Sequence, residues 1–548
     1  MESVTDDLSD FLGYWKGIAF FSTSVAIAIS TTHIFKHAVC NPHWEIKRCT
    51  IRMLLLVPIY SADAMVCLLQ EDKRREWAGL LTSFRDLYEA IVVVSFLQFV
   101  IIVFGSVEYH RISPVLGLSE LMLTHKPEHT GILTVWRFFG IHRPPPWLYS
   151  PGPGFVYAVL IGIFQYIFAT VGEMILETII FLLSGVSEEG PTPGTSSTFI
   201  ACVYLSIFAK SLKACSAGFA MYNLILLGVN LESCEKTKHI AEEAHIRSKF
   251  LCVKGIVFFT FAQKYVLQLL QVFGMLPILF NQKRVAMSQN RVLSTLEQLL
   301  ICFELLLFAF WHWEAYPVNE FIKRVAQEKL MKAYLVGSHA ELQEAVSEAE
   351  PYLRGEVVVV DFASVQKNME WFGGGGSTSD AEALTMTMLR DPCDARLAHQ
   401  PIHVCMQEKL LTDAKDKLSK DKDLQSDLSC KPDFGTWVRD NNFFVQVVYD
   451  IFEIRRSALR MRRATDALQT DPALDVETLF RLFDFDGNDR LDRFEAHALM
   501  KACGMEDDKT QQILGKMVEE RGRIRRESLE DILGRGAELS TPLLAGGN

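Results

Sequence analysis

The stretch KFLCVKGIVFFTFAQKYVLQLLQVFGMLP, from Lys249 to Pro277, decides how this chain must fold. It is apolar for almost its whole length, and as one α-helix rising about 1.5 Å per residue it can cross a hydrocarbon layer about 30 Å thick. The stretch therefore predicts a membrane span. A lysine near the middle of a bilayer costs about 2.5–3.5 kcal/mol, so Lys254, Gln263 and Lys264 should face protein or water instead of lipid. Such a helix needs partner helices.

The composition of the whole chain agrees with a membrane protein. Hydrophobic residues make up 49% of the 548 residues, which is too apolar for an ordinary soluble protein, and the apolar runs are confined to about the first 320 residues. The net charge of −11 argues against nucleic acid as a partner. We expect an all-α protein with four parts, namely a membrane domain at 1–320, a juxtamembrane helical segment at 321–372, a flexible linker at 373–435 and a small domain at 436–540.

Seven apolar stretches predict a bundle of seven transmembrane helices that lies in a lipid bilayer. They lie near Phe11–Phe35, Ile51–Leu69, Leu87–Phe104, Phe155–Ser184, Phe199–Val229, Phe250–Leu276 and Val292–Tyr316. The fourth and fifth stretches are longer than a bilayer requires, so their helices should tilt, extend beyond the membrane, or break near Gly162, Gly172 or Gly218.

The distribution of lysine and arginine between the connections predicts the orientation. Connections on the side of the C-terminal tail carry more of these residues, for example Lys36, Lys47, Arg48 and Arg247. Because basic connections stay in the cytosol, we expect a multi-pass protein with the N-terminus outside and the tail in the cytosol. Whether the membrane is the plasma membrane or an endomembrane such as the vacuole stays open.

Four stretches together resemble the organic solute transporter alpha / transmembrane protein 184 family. They are RCTIRMLLLVPIYSADAM (48–65), SFRDLYEAIVVVSFL (83–97), KFLCVKGIVFFTFAQ (249–263) and CFELLLFAFWHWEAY (302–316). The resemblance covers roughly residues 40 to 320. It implies a seven-helix bundle with an external N-terminus that moves or senses amphipathic organic solutes, such as steroid-like or lipid-like anions. It also implies a small single-span partner subunit, and a homo-oligomer is the alternative.

The chain departs from that family in two respects. It lacks the dense cysteine cluster of the animal transporter, and its tail carries a calcium-loop motif. The added motif predicts a regulated member of the family.

Charged and polar residues inside the predicted spans are candidates for a solute path. Glu173 and Glu177 occupy one face of the fourth span, and Lys210 and Lys213 occupy one face of the fifth, because residues three or four apart share a helix face. Tyr60 and Glu89 lie in the second and third spans. The proposed path contains Asp63, Glu173, Glu177, Lys210, Lys254, Gln263 and Glu304.

Two alternatives accompany that interpretation. The charges could serve structure alone, by pairing with one another or by reaching the headgroups from helix ends. The protein could also be a seven-helix receptor or scaffold in signalling or trafficking that binds a lipid-like ligand without moving it. An enzyme is not expected, because His33, His37 and His312 are too few and too peripheral for an intramembrane zinc hydrolase.

The stretch DFDGNDRLDRFE, from Asp484 to Glu495, matches the EF-hand calcium loop of twelve residues. Its oxygen ligands to Ca²⁺ would be Asp484, Asp486, Asn488, the Arg490 carbonyl, Asp492 and Glu495. The sixth position, usually glycine, holds Asp489, and a left-handed backbone there costs about 1–2 kcal/mol. We therefore expect one calcium-binding hand of moderately reduced affinity.

A second hand is predicted at Met517–Ser528. Gly522 and Ile524 occupy its sixth and eighth positions, but Met517, Arg521 and Ser528 replace the ligands. This hand should pair through Ile524 with Leu491, the eighth residue of the first loop, without binding Ca²⁺.

An amphipathic helix is predicted between linker and calcium loop, at Asn441–Arg463, with apolar residues followed by five arginines. Three roles fit this pattern. It is a packing helix of the tail domain, a helix on the membrane surface, or a helix that exchanges between the bilayer and the calcium-loaded hand.

Overall fold

A computed structural model of the chain describes residues 2–41, 43–69, 75–105, 114–123, 152–184, 197–272, 289–318, 330, 339–353, 415, 442–470, 476–485, 491–503, 505 and 523–524. The predicted linker at 373–435 lies outside this part except for residue 415, and the predicted juxtamembrane segment at 321–372 is described only at 330 and 339–353.

The described chain is helical apart from one short strand pair. In chain order the elements are α1 (Glu2–Cys40), α2 (Trp44–Leu54), α3 (Leu56–Leu69), α4 (Arg75–Gly105), α5 (Pro114–Leu121), α6 (Pro153–Ser184), α7 (Ser197–Ser233), α8 (Glu235–Glu243), α9 (Ile246–Val272), α10 (Gln289–Ala315), α11 (His339–Leu353), α12 (Phe443–Thr470), α13 (Val476–Phe483), β1 (Leu491–Asp492), α14 (Arg493–Ala502) and β2 (Arg523–Ile524).

Within the described residues, six helical stretches are long and apolar enough to cross a membrane. They are Tyr14–Val39, Trp44–Leu68, Ser83–Gly105, Pro153–Ile179, Tyr204–Ser233 and Leu296–Ala315. The sixth predicted span, near Phe250–Leu276, is not among these six. It forms the single helix α9 of 27 residues, which is about 40 Å long. Its role as a seventh span stays a prediction.

The second span is broken once, at Leu55 between α2 and α3. Pro58 explains the break, because it has no N–H to donate to the Leu54 carbonyl and its ring crowds that carbonyl. Hydrogen bonds from Leu55 N–H to Ile51 O (3.0 Å) and from Ile59 N–H to Leu55 O (3.1 Å) carry the helical path across the break.

The two longest predicted spans remain continuous. Helices α6 and α7 run for 32 and 37 residues through Gly162, Gly172 and Gly218. The alternative of a break at these glycines is therefore wrong. At Gly152, just before α6, the backbone has φ +70, which glycine adopts without strain, and Pro153 then takes the first helical position.

The bundle packs around one hydrophobic core. Helix α6 packs along α7 and against α4, while α10 packs against α1, α3 and α9. Because α4 contacts α2, α3, α5, α6 and α9, it lies at the centre of the bundle. Its residues from Val92 to Phe104 are buried almost without exception.

The tail is docked on this bundle. Helix α12 packs against α6 and α5, and its buried residues Phe443, Val447, Ile451 and Ile454 belong to the core of the bundle. A second core joins Ala464 of α12 to α13, β1 and α14, and it includes Leu123, which follows α5. The apolar face of α12 is therefore shared with the membrane domain, whereas the packing-helix interpretation assigned it to the tail domain alone.

Candidate functional site

A network of ionised side chains runs through the helices of the bundle. It begins where α3 faces α4, because Arg85 Nη1 donates a hydrogen bond to Asp63 Oδ2 at 2.8 Å. The same guanidinium contacts Asp86 Oδ1 at 3.3 Å. Asp63 is a predicted path residue, whereas Arg85 and Asp86 were not predicted as path residues from the sequence.

Lys213 carries the network from α4 to α6 and α7. Its Nζ lies 2.8 Å from Asp86 Oδ2 and 2.7 Å from Glu173 Oε2. One helical turn along α7, Lys210 Nζ lies 2.8 Å from Glu177 Oε1. The acidic face of α6 and the basic face of α7 thus pair residue by residue. The Lys210–Glu177 pair differs from its neighbour in being open to the surroundings, since the Lys210 side chain is 59% exposed.

Glu89, at the middle of α4, is contacted by side chains from three further helices. Tyr60 of α3 donates a hydrogen bond to its Oε2 (3.1 Å), and Tyr166 of α6 donates one to its Oε1 (3.4 Å). Lys254 of α9 lies 3.6 Å from the same Oε1. The Arg85 guanidinium lies over the Tyr60 ring at 5.2 Å, which joins this group to the Asp63–Arg85 pair.

The network is open at one end and closed at the other. The side chains of Arg85, Asp86 and Lys213 are 21%, 22% and 19% exposed, whereas that of Lys254 is 9% exposed. Apart from the Lys210–Glu177 pair, the network holds three cations and four carboxylates within the described residues, and each cation has a carboxylate partner.

This pairing of cations with carboxylates determines what the site can do chemically. Because isolated charges inside a bundle are expensive, the pairs keep the helices together while the site is empty. An organic anion could replace a carboxylate on a lysine, and the displaced carboxylate could keep its second cation or its tyrosine partners. The arrangement is suited to reversible exchange of anions.

Gln263 and Glu304 lie apart from the network. Contacts of Gly255 and Phe259 with Phe308 set an antiparallel register between α9 and α10. Gln263 follows Phe259 by one turn in α9, and Glu304 precedes Phe308 by one turn in α10. Because the helices are antiparallel, this register places Gln263 and Glu304 in the next layer of the interface. No hydrogen-bond partner for the Gln263 amide or for Glu304 Oε2 occurs among the described residues. The structure therefore brings five of the seven predicted path residues into ion pairs and leaves these two outside them.

Arg85, Asp86 and Tyr166 were not predicted from the sequence, and the reasons can be identified. The third span was predicted to begin at Leu87, which left Arg85 and Asp86 just outside it, but α4 begins at Arg75. A charged pair in the last turns before an apolar run belongs to the helix when those turns pack against neighbours. Nothing in the sequence singled out Tyr166 as a site residue, because an aromatic residue in an apolar span is usually part of the hydrophobic core.

The two histidines near the end of α1 form a separate polar cluster. The Nε2 atoms of His33 and His37 lie 3.0 and 2.8 Å from the carbonyl oxygen of Tyr316, directly after α10. Across the ranges that the structure describes, no group of three or more His, Cys, Asp or Glu residues is arranged to hold a metal ion. The predicted calcium ligands Asp486, Asn488 and Arg490 lie outside those ranges.

The described ends of the predicted calcium loop have a distinct geometry. Glu495 is buried, and its Oε1 accepts a hydrogen bond from Phe485 N–H at 2.6 Å, so the last loop residue faces the first turn of the loop. Strands β1 and β2 pair antiparallel with Leu491 opposite Ile524 and Asp492 opposite Arg523. Leu491 and Ile524 are the eighth positions of the two predicted hands, so this strand pair is the one predicted from the sequence.

One comparison with known proteins identifies a match. The family model described as "Organic solute transporter Ostalpha" matches residues 15–321, which contain the whole of the ionised network. No solved structure matches the chain.

Proposed function

The chain belongs to the organic solute transporter Ostalpha family, and from that premise we propose that it carries amphipathic organic anions, steroid-like or lipid-like, across a membrane. The observation that supports this function is Lys213, a partly exposed cation held between Asp86 and Glu173 at the open end of the network. The carboxylates hold the lysine in place when no solute is bound. A solute anion would take the place of one of them.

The proposed path proceeds from Lys213 to Lys254. Both lysines contact carboxylates of α4, which are one turn apart at Asp86 and Glu89. An anion leaving Lys213 would therefore find the next cation, Lys254 of α9, one turn further along α4. The hydroxyl groups of Tyr60 and Tyr166 would hold Glu89 when Lys254 is engaged. Gln263 and Glu304 would offer neutral and acidic hydrogen-bonding groups beyond this point.

Transport is tested with purified full-length protein in proteoliposomes that contain a labelled steroid conjugate. Lys213→Gln should lower flux by about tenfold or more, because a charge-assisted contact contributes about 1.5–3 kcal/mol. Lys210→Gln should lower flux less, since this predicted path residue lies one turn away, is mostly exposed and contacts only Glu177 among the described groups. Lys213→Arg keeps the charge and should retain part of the flux. Equal flux in all three variants would exclude this path.

The inner part of the path is tested by Lys254→Ala and Glu304→Ala. Both should reduce flux while the proteins reach the membrane in normal amounts. If both transport normally, the charges serve only to pair helices.

The second candidate function is a receptor or scaffold that binds a lipid-like ligand without transport. It rests on the same observation, because every cation of the network is already paired in the described structure. Saturable binding of the labelled conjugate without any flux in proteoliposomes would favour the receptor.

We propose further that the tail binds one calcium ion, through Asp484, Asp486, Asn488, the Arg490 carbonyl, Asp492 and Glu495, and that the ion regulates the membrane domain. The inward position of Glu495 and the β1–β2 pairing support this site. Calorimetric titration of the full-length protein with Ca²⁺ should give one site, and Glu495→Gln should abolish it. Two sites of similar affinity, or none, would contradict the assignment.

The assembly and the orientation are also proposals. We expect a small single-span subunit or a second copy of the chain beside the bundle, and a cytosolic tail. Cross-linking in native membranes followed by mass spectrometry would identify the neighbour. If protease added to sealed cells cleaves the tail, the orientation is wrong.

A further inference from the structure

Helix α12 has two neighbouring apolar faces, and within the part of the chain that the structure describes only one of them is covered by protein. The covered face consists of Phe443, Val447, Ile451 and Ile454, which are between 0% and 9% exposed and lie in the core of the bundle. Burial of this face holds α12 against α6 and α5. The helix is therefore a fixed part of the molecule's surface.

The neighbouring face, about 100° further round the helix, carries large apolar side chains that are exposed. Phe444, Val448 and Phe452 follow one another at intervals of four residues, so they form one stripe along the helix. They are 46%, 39% and 60% exposed. A contiguous stripe of this kind on a docked helix marks a surface that something apolar covers.

The position of α12 in the molecule indicates what covers it. The ring of Phe443 lies 4.4 Å from the guanidinium of Arg52, in the helix that begins the Trp44–Leu68 span. At the start of that span, the 52% exposed Trp44 ring lies near the cations of Lys47 and Arg48, which is typical of the headgroup layer of a bilayer. The apolar end of α12 thus starts at the edge of the membrane.

The same face of α12 becomes basic where the apolar stripe ends. Arg455, Arg456, Arg462 and Arg463 follow Phe452, and all four are exposed. An apolar stripe continued by arginines matches the acyl boundary and the anionic headgroups of one leaflet.

We propose that α12 is an interfacial helix whose outer face inserts Phe444, Val448 and Phe452 into the bilayer and binds anionic lipid headgroups through Arg455 and Arg456. This role does not depend on solute transport. It holds the tail at the membrane surface on the side of the bundle where α2 begins.

The test uses the full-length protein in nanodiscs of phosphatidylcholine with phosphatidylserine. A benzophenone amino acid placed at Phe452 should form adducts with lipid on illumination. The matched control is the same probe at Asp466, which is exposed on the same helix beyond the arginines and should give little lipid adduct. Adducts at position 452 with a second copy of the chain, or no lipid adducts at all, would overturn the proposal.

The charge requirement is tested separately with the probe at Phe452 in an Arg455→Gln/Arg456→Gln background. The share of phosphatidylserine among the adducts should fall about fivefold or more, which is the preference of a single basic residue near an anionic surface. The phosphatidylcholine adducts should persist and thereby report that the helix is still docked. An unchanged phosphatidylserine share would refute headgroup binding by the arginines.

Discussion

At the scale of single residues, Arg85 is the side chain on which the polar network depends most. It is the described partner of Asp63, whose side chain is only 5% exposed, and it also contacts Asp86. A carboxylate that is buried in an apolar bundle without a cation costs several kcal/mol. Arg85 therefore stabilises the fold before it serves any solute.

The substitution Arg85→Gln should lower the free energy of unfolding by about 3–5 kcal/mol, because it leaves two carboxylates without their guanidinium. Thermal unfolding of the purified protein in detergent measures the effect. Arg247→Gln is the control, since Arg247 pairs with Glu232 in the open, with a side chain 75% exposed, and should change the unfolding temperature little. Equal effects of the two substitutions would contradict a structural role for the Arg85 pairs.

At the scale of elements, the contact between α6 and α7 depends on one small residue. A Cβ atom added at Gly162 would lie 2.8 Å from Oδ1 of the buried Asn223 and closer still to the rest of its carboxamide. The glycine thus allows the two longest helices of the bundle to approach. Their approach brings Glu173 and Glu177 to the lysines of α7.

We predict that Gly162→Ala destabilises the protein relative to Gly172→Ala. Overpacking costs about 1–3 kcal/mol, whereas alanine in place of an exposed helical glycine gains about 1 kcal/mol. Gly172 is the matched control because it lies in the same helix and nothing lies within 4 Å of its added Cβ. Unfolding temperatures in detergent should fall for the first variant and stay equal or rise for the second. A reversed order would mean that the helices separate at Gly162 without cost.

At the scale of the whole molecule, tail and membrane domain meet at α5. Glu120 of α5 and His497 of α14 lie 3.3 Å apart, and both side chains are buried, at 7% and 2% exposed. His497 follows the loop residue Glu495 by two positions on α14. The predicted calcium loop therefore ends two residues before this contact between tail and bundle.

The substitution Glu120→Ala should weaken the docking of the tail by about 1–3 kcal/mol, because it removes a buried hydrogen-bonding partner of His497. Hydrogen exchange of the full-length protein should then speed up in α14 while the spans stay protected. Glu477→Ala removes an exposed partner of Arg481 in the neighbouring α13 and should leave exchange in α14 unchanged. Exchange that rises equally in both variants would exclude a specific role for this contact.

The spans themselves were predicted closely from local patterns. The fourth, fifth and seventh were expected at Phe155–Ser184, Phe199–Val229 and Val292–Tyr316, and the helices observed there are Pro153–Ser184, Ser197–Ser233 and Gln289–Ala315. The helices extend a few residues further because polar turns at the ends keep their backbone hydrogen bonds when they pack against neighbours. The same extension, at α4, concealed Arg85 and Asp86.

The sequence by itself determined that this is a multi-pass membrane protein, because hydrocarbon forces every long apolar run into a helix with internally satisfied backbone groups. It also identified most of the residues that carry charge inside the bundle, but not Arg85 and Asp86. Only the tertiary structure decided which charges meet, since Arg85, Lys213 and Glu89 find partners on helices far away in the chain. It alone placed α12 on the bundle and not in a separate tail, because the burial of an apolar face depends on the surface that faces it, and no local pattern encodes that surface.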